Sequence, residues 1–189
     1  MIELLSTPAA ERDVAGLTAL LLDAVEGGAS VSFMAPLRAD QAEAFWRESL
    51  DALHPRAAVL IARDQHGIAG TVQLQPAWAP NQPHRAEVAK LLVHSRARRR
   101  GLGKALMGAV EAHAAATGFS LLTLDTRRGD AGEALYRGLG WIEAGIIPDY
   151  AVVDDGSFCD TVIFYKRVGL RAPASASRAA STPPSRSPA

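Results

Sequence analysis

The spacing of apolar residues changes several times along the chain, and each change marks an element. Residues 2–5 (IELL) read as a short strand, and Thr7-Pro8 then reads as a helix start with Pro at its first position. Val14, Leu17, Leu21, Leu22 and Val25 recur at helical spacing until Gly27-Gly28 ends the run. Residues 28–37 form a loop, and Phe45, Trp46, Leu50 and Leu53 place a second helix over residues 39–53. Residues 57–63 and 68–75 read as strands joined by the turn Asp64-Gln65-His66-Gly67. After a Pro-rich loop comes a strand at residues 85–93. Next is a basic loop, then a helix at residues 102–117 whose Leu102, Ala105, Leu106, Ala109, Val110 and His113 share one face. Residues 119–126 have the continuous apolar character of a strand buried on both sides. A short helix at residues 131–139 and strands at 141–147 and 159–167 complete the fold unit. The order β-α-α-β-β-β-α-β-α-β-β predicts a mixed α/β sheet of about seven strands with four helices.

Composition narrows the choice. The chain has 189 residues, 48% of them hydrophobic and 21% charged, as expected of one ordinary folded domain. No apolar run reaches the ~20 residues that cross a bilayer. The first residues carry no basic flank and no long apolar core, so no membrane partner and a cytoplasmic setting are expected. Residues 169–189 are almost wholly Ala, Ser, Pro and Arg, and are expected to be a disordered tail beyond a domain at residues 1–168. A single cysteine, Cys159, excludes an internal disulfide and a thiolate zinc site. The five histidines show no metal-ligand spacing, so no metal is expected.

Net charge is +0, yet Arg96, Arg98, Arg99, Arg100 and Lys104 crowd into nine residues. They lie where an apolar strand (Leu91, Leu92, Val93) enters a loop and Gly101 and Gly103 open a helix. Unpaired N–H groups at a helix start favour an anion, and glycines admit phosphate oxygens close to the backbone. The chain has no GxxxxGK[ST] and no GxGxxG, which excludes a P-loop and a dinucleotide fingerprint. The knot lacks the interleaved aromatics of a nucleic-acid surface, so no nucleic-acid partner is expected.

The spacing Arg98-x-x-Gly101-x-Gly103 after an apolar strand resembles the pyrophosphate-binding motif of the GNAT acetyltransferases. The predicted element order is also similar to that fold. The resemblance implies an acetyl-CoA-dependent N-acetyltransferase. It places acetyl-CoA against Leu91, Leu92, Val93, Arg98, Arg99, Arg100, Gly101, Leu102, Gly103 and Lys104. Residues 26–37 (EGGASVSFMAPL), 84–90 (HRAEVAK), 100–107 (RGLGKALM), 133–136 (EALY), 147–151 (IPDYA) and 163–166 (IFYK) resemble, more narrowly, the tabtoxin-resistance subgroup. Leu124-Asp125-Thr126 adds to that likeness. The implied acceptor is a small primary amine, as in an amino-acid-like β-lactam toxin or antibiotic.

The resemblance also implies roles. Asp125 and Glu87 would hold the amine and take its proton, and Tyr136 would protonate the leaving thiolate. A backbone N–H near Leu92 would meet the oxyanion. Phe33, Met34 and Tyr150 would line the acceptor side. Residue by residue, plainer readings stay open: Glu87 as an exposed strand residue, Asp125 as a cap or ion-pair partner, Tyr136 as a core aromatic, Phe33 and Met34 as packing. Cys159 is not expected to carry the acetyl group, so transfer is expected to be direct. Rival readings are acetylation of a protein N-terminus, polyamine or aminoglycoside, or a CoA-binding sensor without turnover. A monomer and a homodimer are both compatible with the sequence.

Overall fold

In a computed structural model, residues 1–29 and 31–169 are described. The expected tail therefore lies almost wholly outside the described residues. One mixed sheet of seven strands runs β1 (Ile2–Leu4), β2 (Ala58–Asp64), β3 (Gly67–Pro76), β4 (Arg85–Val93), β5 (Leu121–Arg127), β7 (Phe158–Arg167) and β6 (Ile142–Val152) from edge to edge. Only β4 and β5 pair in parallel; every other neighbour is antiparallel.

Alternation along the strands explains how the helices attach. In β2, Ala58, Leu60 and Ala62 point to one side, while Val59 and Ile61 point to the other. The first side packs under helix α3 (Leu102–Ala116) through Leu106, Met107, Val110 and Ala114, beside helix α4 (Ala131–Gly138). The second side takes helices α1 (Glu11–Glu26) and α2 (Ala39–Asp51) through Leu17, Leu20, Leu21, Trp46 and Leu50. Coverage on both faces accounts for the unbroken apolar run of β2. Each fully buried large side chain contributes about 1.5–3 kcal/mol. Gly70 lets α3 close on β3: a Cβ there would stand 2.9 Å from Leu106 Cδ1 and 2.9 Å from the Leu92 carbonyl oxygen.

Two boundaries differ from expectation. The first helix begins at Glu11 with Ala10 as its N-cap, not at Thr7-Pro8. The Ala10 carbonyl accepts from the N–H groups of Asp13 and Val14, so the first turn closes downstream of the proline. Strand β6 runs on to Val152, because it pairs with β7 again beyond an irregularity between Ile147 and Ala151.

Candidate active site

The basic loop forms an open turn lined by cations and helix N–H groups, a geometry that suits an anion. After β4, a single 3-10 turn (Ser95–Ala97) leads to Gly101, the N-cap of α3, held at φ 79°. That left-handed conformation disfavours any side chain and turns the chain sharply into the helix. The first N–H groups of α3 have no intrahelical acceptor, and the helix dipole adds to their pull on an anion. The arginines divide into two sets. Arg96 is committed to Asp64 and to the Ile68 carbonyl, and Arg98 donates from Nε to the Val93 carbonyl at 3.0 Å while its guanidinium faces Asp23 at 3.6 Å. Arg99, Arg100 and Lys104 are exposed and make no ion pair among the described residues. Arg98 thus braces the loop from within, and Arg99, Arg100 and Lys104 supply the open charge. Asp23 completes the brace, accepting from the Ser95 N–H at 2.7 Å and the Ser95 hydroxyl at 2.5 Å.

The second feature is a gap in the sheet. The parallel pairing of β4 and β5 consists of Arg85 with Leu121, Ala86 with Leu122 and Glu87 with Thr123, and then stops. Past Glu87 the two strands part, leaving the β5-facing backbone of β4 open. Ligands of α/β sheets bind at such strand ends. Glu87 stands at the last pair and Asp125 two residues beyond it on β5, so both side chains project on the α1/α2 side. Although much of the Glu87 residue is exposed, burial of its carboxyl, then the charge of Asp125, pushes it above the ordinary carboxylate range. Arg85 and Lys90 pull the other way. Asp125 accepts from the Thr161 hydroxyl at 2.9 Å.

Tyr136 arrives from the opposite side. It lies on α4 with its ring among Trp141 and Phe164, at 6.1 Å from each, and is 8% exposed. Burial, then the charge of Asp125, pushes the phenol up to about 12, so it keeps its proton at any physiological pH. Asp125 therefore acts electrostatically on Glu87 and on Tyr136, and the gap in the sheet is where the two faces meet.

The model of the acetyltransferase (GNAT) family matches residues 28–141, more than half of the chain. The chain belongs to that family. It is 35% identical over 107 residues to an uncharacterised N-acetyltransferase of the hisH-hisA intergenic region of Azospirillum brasilense. That match covers 56% of this chain and 62% of the relative, so less than two thirds of the relative is spanned. The fold is similar to the ribosomal-protein-alanine N-acetyltransferase of Brucella melitensis, with TM-score 0.73 and 22% identity over 89% of this chain and 99% of that one. It is also similar to yncA of Salmonella typhimurium, solved with its cofactor acetyl-CoA, with TM-score 0.73 and 20% identity over 93% and 98% of the two chains.

The GNAT family uses acetyl-CoA, and the residues here fit it. Gly101 has no heavy atom within 4 Å of where a Cβ would stand, three cations are unspent, and β4 presents an open edge. Leu92 itself is buried on the α1/α2 side, so its backbone rather than its side chain is what the gap receives, while Leu91, Leu102 and Val93 pack partly against the α3 side.

The acceptor-side expectations fare unevenly. Phe33 is half-buried and stacks edge-on to Phe45 at 5.0 Å. Met34 and Tyr150 are 48% and 53% exposed, and the structure gives neither a contact with the carboxylates. The residue that sequence reasoning missed is Lys90. Between Gln73 and Thr71 of β3, the register of β4 slips by one residue, a bulge in which Lys90 takes φ 50°. Its ammonium reaches the loop at 28–37, donating to the Val31 carbonyl at 3.1 Å and the Ser32 hydroxyl at 3.0 Å. It also lies 5.9 Å and 5.5 Å from the ring centres of Phe33 and Phe45. Burial pushes Lys90 down, while Asp125 and Glu87 pull it back. Lys90 closes the segment 84–90 that carried the narrower resemblance, but the sequence assigned it no role, because a bulge is fixed by its partner strand. At its far end the loop is tied to the β6–β7 turn, where the Ala35 N–H donates to Asp154 at 3.0 Å.

No helix among the described residues is long and apolar enough to cross a membrane. Among the described residues no group of three His, Cys, Asp or Glu is arranged to hold a metal.

Proposed function

We propose that the protein transfers the acetyl group of acetyl-CoA directly to the primary amine of a small, amino-acid-like acceptor, of the kind the tabtoxin resistance protein takes. Self-protection or antibiotic detoxification is the use such an activity would serve. The observation that carries the reading is the placement of Glu87 and Asp125 together on one face at the point where β4 and β5 part.

Bound acetyl-CoA supplies the acyl thioester. Arg99, Arg100, Lys104 and the first N–H groups of α3 hold its phosphates, and the open edge of β4 orders the remainder. Glu87 and Asp125 hold the acceptor ammonium and take its proton, directly or through water. A carboxylate raised above its ordinary range, as Glu87 is, accepts that proton more readily than an exposed one. Backbone N–H groups at the bulge near Leu92 face the carbonyl oxygen as it gains charge. The Tyr136 phenol, kept protonated by its surroundings, gives its proton to the departing sulfur. Retention of both an acid and a base argues for turnover over a sensor role. Two carboxylates are too few to favour a polyamine or aminoglycoside over a small monoamine.

The test is thiol release from acetyl-CoA with a panel of amino acids, β-lactam amino acids, polyamines, aminoglycosides and N-terminal peptides. Turnover on one small-amine class supports the reading. Turnover on peptides or polyamines alone, or on nothing despite bound acetyl-CoA, contradicts it.

A further inference from the structure

Lys90 presents a problem in charge that the transfer chemistry leaves unsolved. It is a partly buried ammonium, and buried charges are normally paired with an opposite charge. Here its two hydrogen-bond acceptors are neutral, the Val31 carbonyl and the Ser32 hydroxyl. Neither Glu87 nor Asp125, nor any other carboxylate among the described residues, lies within ion-pair distance of it. An ammonium has three protons to donate, so one donor is unspent among the described residues.

A second unspent donor lies on the neighbouring strand. Gln73 of β3 is 3% exposed and pairs in register with Ala89, so those two side chains share the α1/α2 face of the sheet; the bulge turns Lys90 to that face too, where its ammonium lies 5.5 Å from the ring of Phe45. Its Oε1 accepts from Gln75 Nε2 at 2.8 Å, and its own Nε2 is buried without a partner among the described residues. A buried unpartnered amide donor is uncommon, and one on the same face as an ammonium with no carboxylate in ion-pair distance suits an anion. On the same face, Gln75 is the register partner of Glu87. This face of β3, β4 and β5 thus carries anion-seeking donors at Lys90 and Gln73 alongside the cation-seeking carboxylates of Glu87 on β4 and Asp125 on β5.

We infer that Lys90, with Gln73, binds a carboxylate of the acceptor and so selects acceptors that carry a carboxylate beside the amine. This rests on the small-amine reading above and sharpens it. A second ammonium on the acceptor, as in a polyamine, would meet Lys90 instead of an acid and be disfavoured.

The experiment compares kcat/KM for matched pairs that differ only by the carboxylate: β-alanine and ethylamine, γ-aminobutyrate and propylamine, ornithine and putrescine, lysine and cadaverine. It uses the full chain with saturating acetyl-CoA. Wild type is expected to favour the carboxylate member of the accepted pair by roughly tenfold to hundredfold, the range of one charge-assisted hydrogen bond. Lys90→Met is expected to collapse that ratio through KM for the acceptor, with KM for acetyl-CoA unmoved, and Lys90→Arg to keep part of it. Gln73→Leu is expected to reduce the ratio less. The assignment is overturned if wild type accepts both members equally, prefers the plain amine, or if Lys90→Met keeps the wild-type ratio. Should Lys90→Met fail to fold, the wild-type and Lys90→Arg ratios decide. If calorimetry shows acetyl-CoA bound but no small amine turns over, the acetyl-transfer reading fails first and the selection role with it. Turnover without carboxylate preference leaves that reading standing and removes only the role of Lys90.

Discussion

The cradle before α3 and the cleft between β4 and β5 are both built around charge, but on opposite plans. The cradle is a continuous stretch of chain, with exposed cations, N–H groups of one helix end, and one internal brace between Arg98 and Asp23. The cleft collects single residues from distant elements: Glu87 and Lys90 from β4, Asp125 from β5, Tyr136 from α4 and Phe33 from a loop. Its groups perturb one another, and Asp125 bears on Glu87, Lys90 and Tyr136 alike. A binding surface can rely on many replaceable contacts. Under the proposed function the cleft is the reacting centre and depends on a few groups whose charges are coupled, so single changes there should act on rate and changes in the cradle on affinity.

The largest expected break is Asp125→Asn. It removes the charge that three other groups feel, and should lower kcat by about 10²–10⁴ with little change in KM for acetyl-CoA. Tyr136→Phe should follow, lowering kcat by about 10–10² when thiol departure limits the rate. Because the wild-type phenol holds its proton up to about pH 12, no alkaline limb below pH ~10 should trace to it in a profile of kcat against pH.

On the other side of the comparison, Arg99→Ala with Lys104→Ala should raise KM for acetyl-CoA by roughly 10–100-fold and leave kcat nearly intact. A kcat loss as large as that of Asp125→Asn would erase the distinction between the two regions.

Smaller effects sharpen it. The acid limb of kcat/KM should lie above the ordinary glutamate range, and Arg85→Met should move it further up, since Arg85 is one of the two cations that hold Glu87 down. Stability should show the opposite face of the same fact. Glu87 has its folded pKa raised, so its charged form weighs against the fold: the penalty is absent below the unfolded pKa and complete above the folded one. Glu87→Gln should therefore raise Tm slightly at pH 8 and leave it unchanged near pH 3, while activity falls.

The same contrast sets what could be read from the sequence. The cradle was legible because a strand, a basic run and Gly101-x-Gly103 lie side by side, whereas the expected two-sided burial of residues 119–126 holds on one face only: Leu122 and Leu124 are buried, but Thr123 is half-buried and Asp125 exposed where β5 borders the gap. Arg98 was legible as a residue of the motif but not as a brace, since Asp23 lies on α1, far away along the chain. The meeting of Glu87 with Asp125 depended on where pairing of β4 with β5 ends, a property of two strands at once. Lys90 was hidden for the same reason, because its bulge exists only against β3. The start of α1 was misplaced because Thr7-Pro8 satisfies a local rule, while the chain starts the helix three residues later on Ala10, which caps it through its carbonyl alone.

A double-variant cycle tests the central claim, that Glu87 and Asp125 form one amine-binding and proton-accepting unit. Turnover of the best acceptor would be measured for wild type, Glu87→Gln, Asp125→Asn and both together, each shown to bind acetyl-CoA. If the two act as a unit, the double variant will be hardly slower than Asp125→Asn alone. Losses that multiply, or single variants that turn over like wild type, would contradict it.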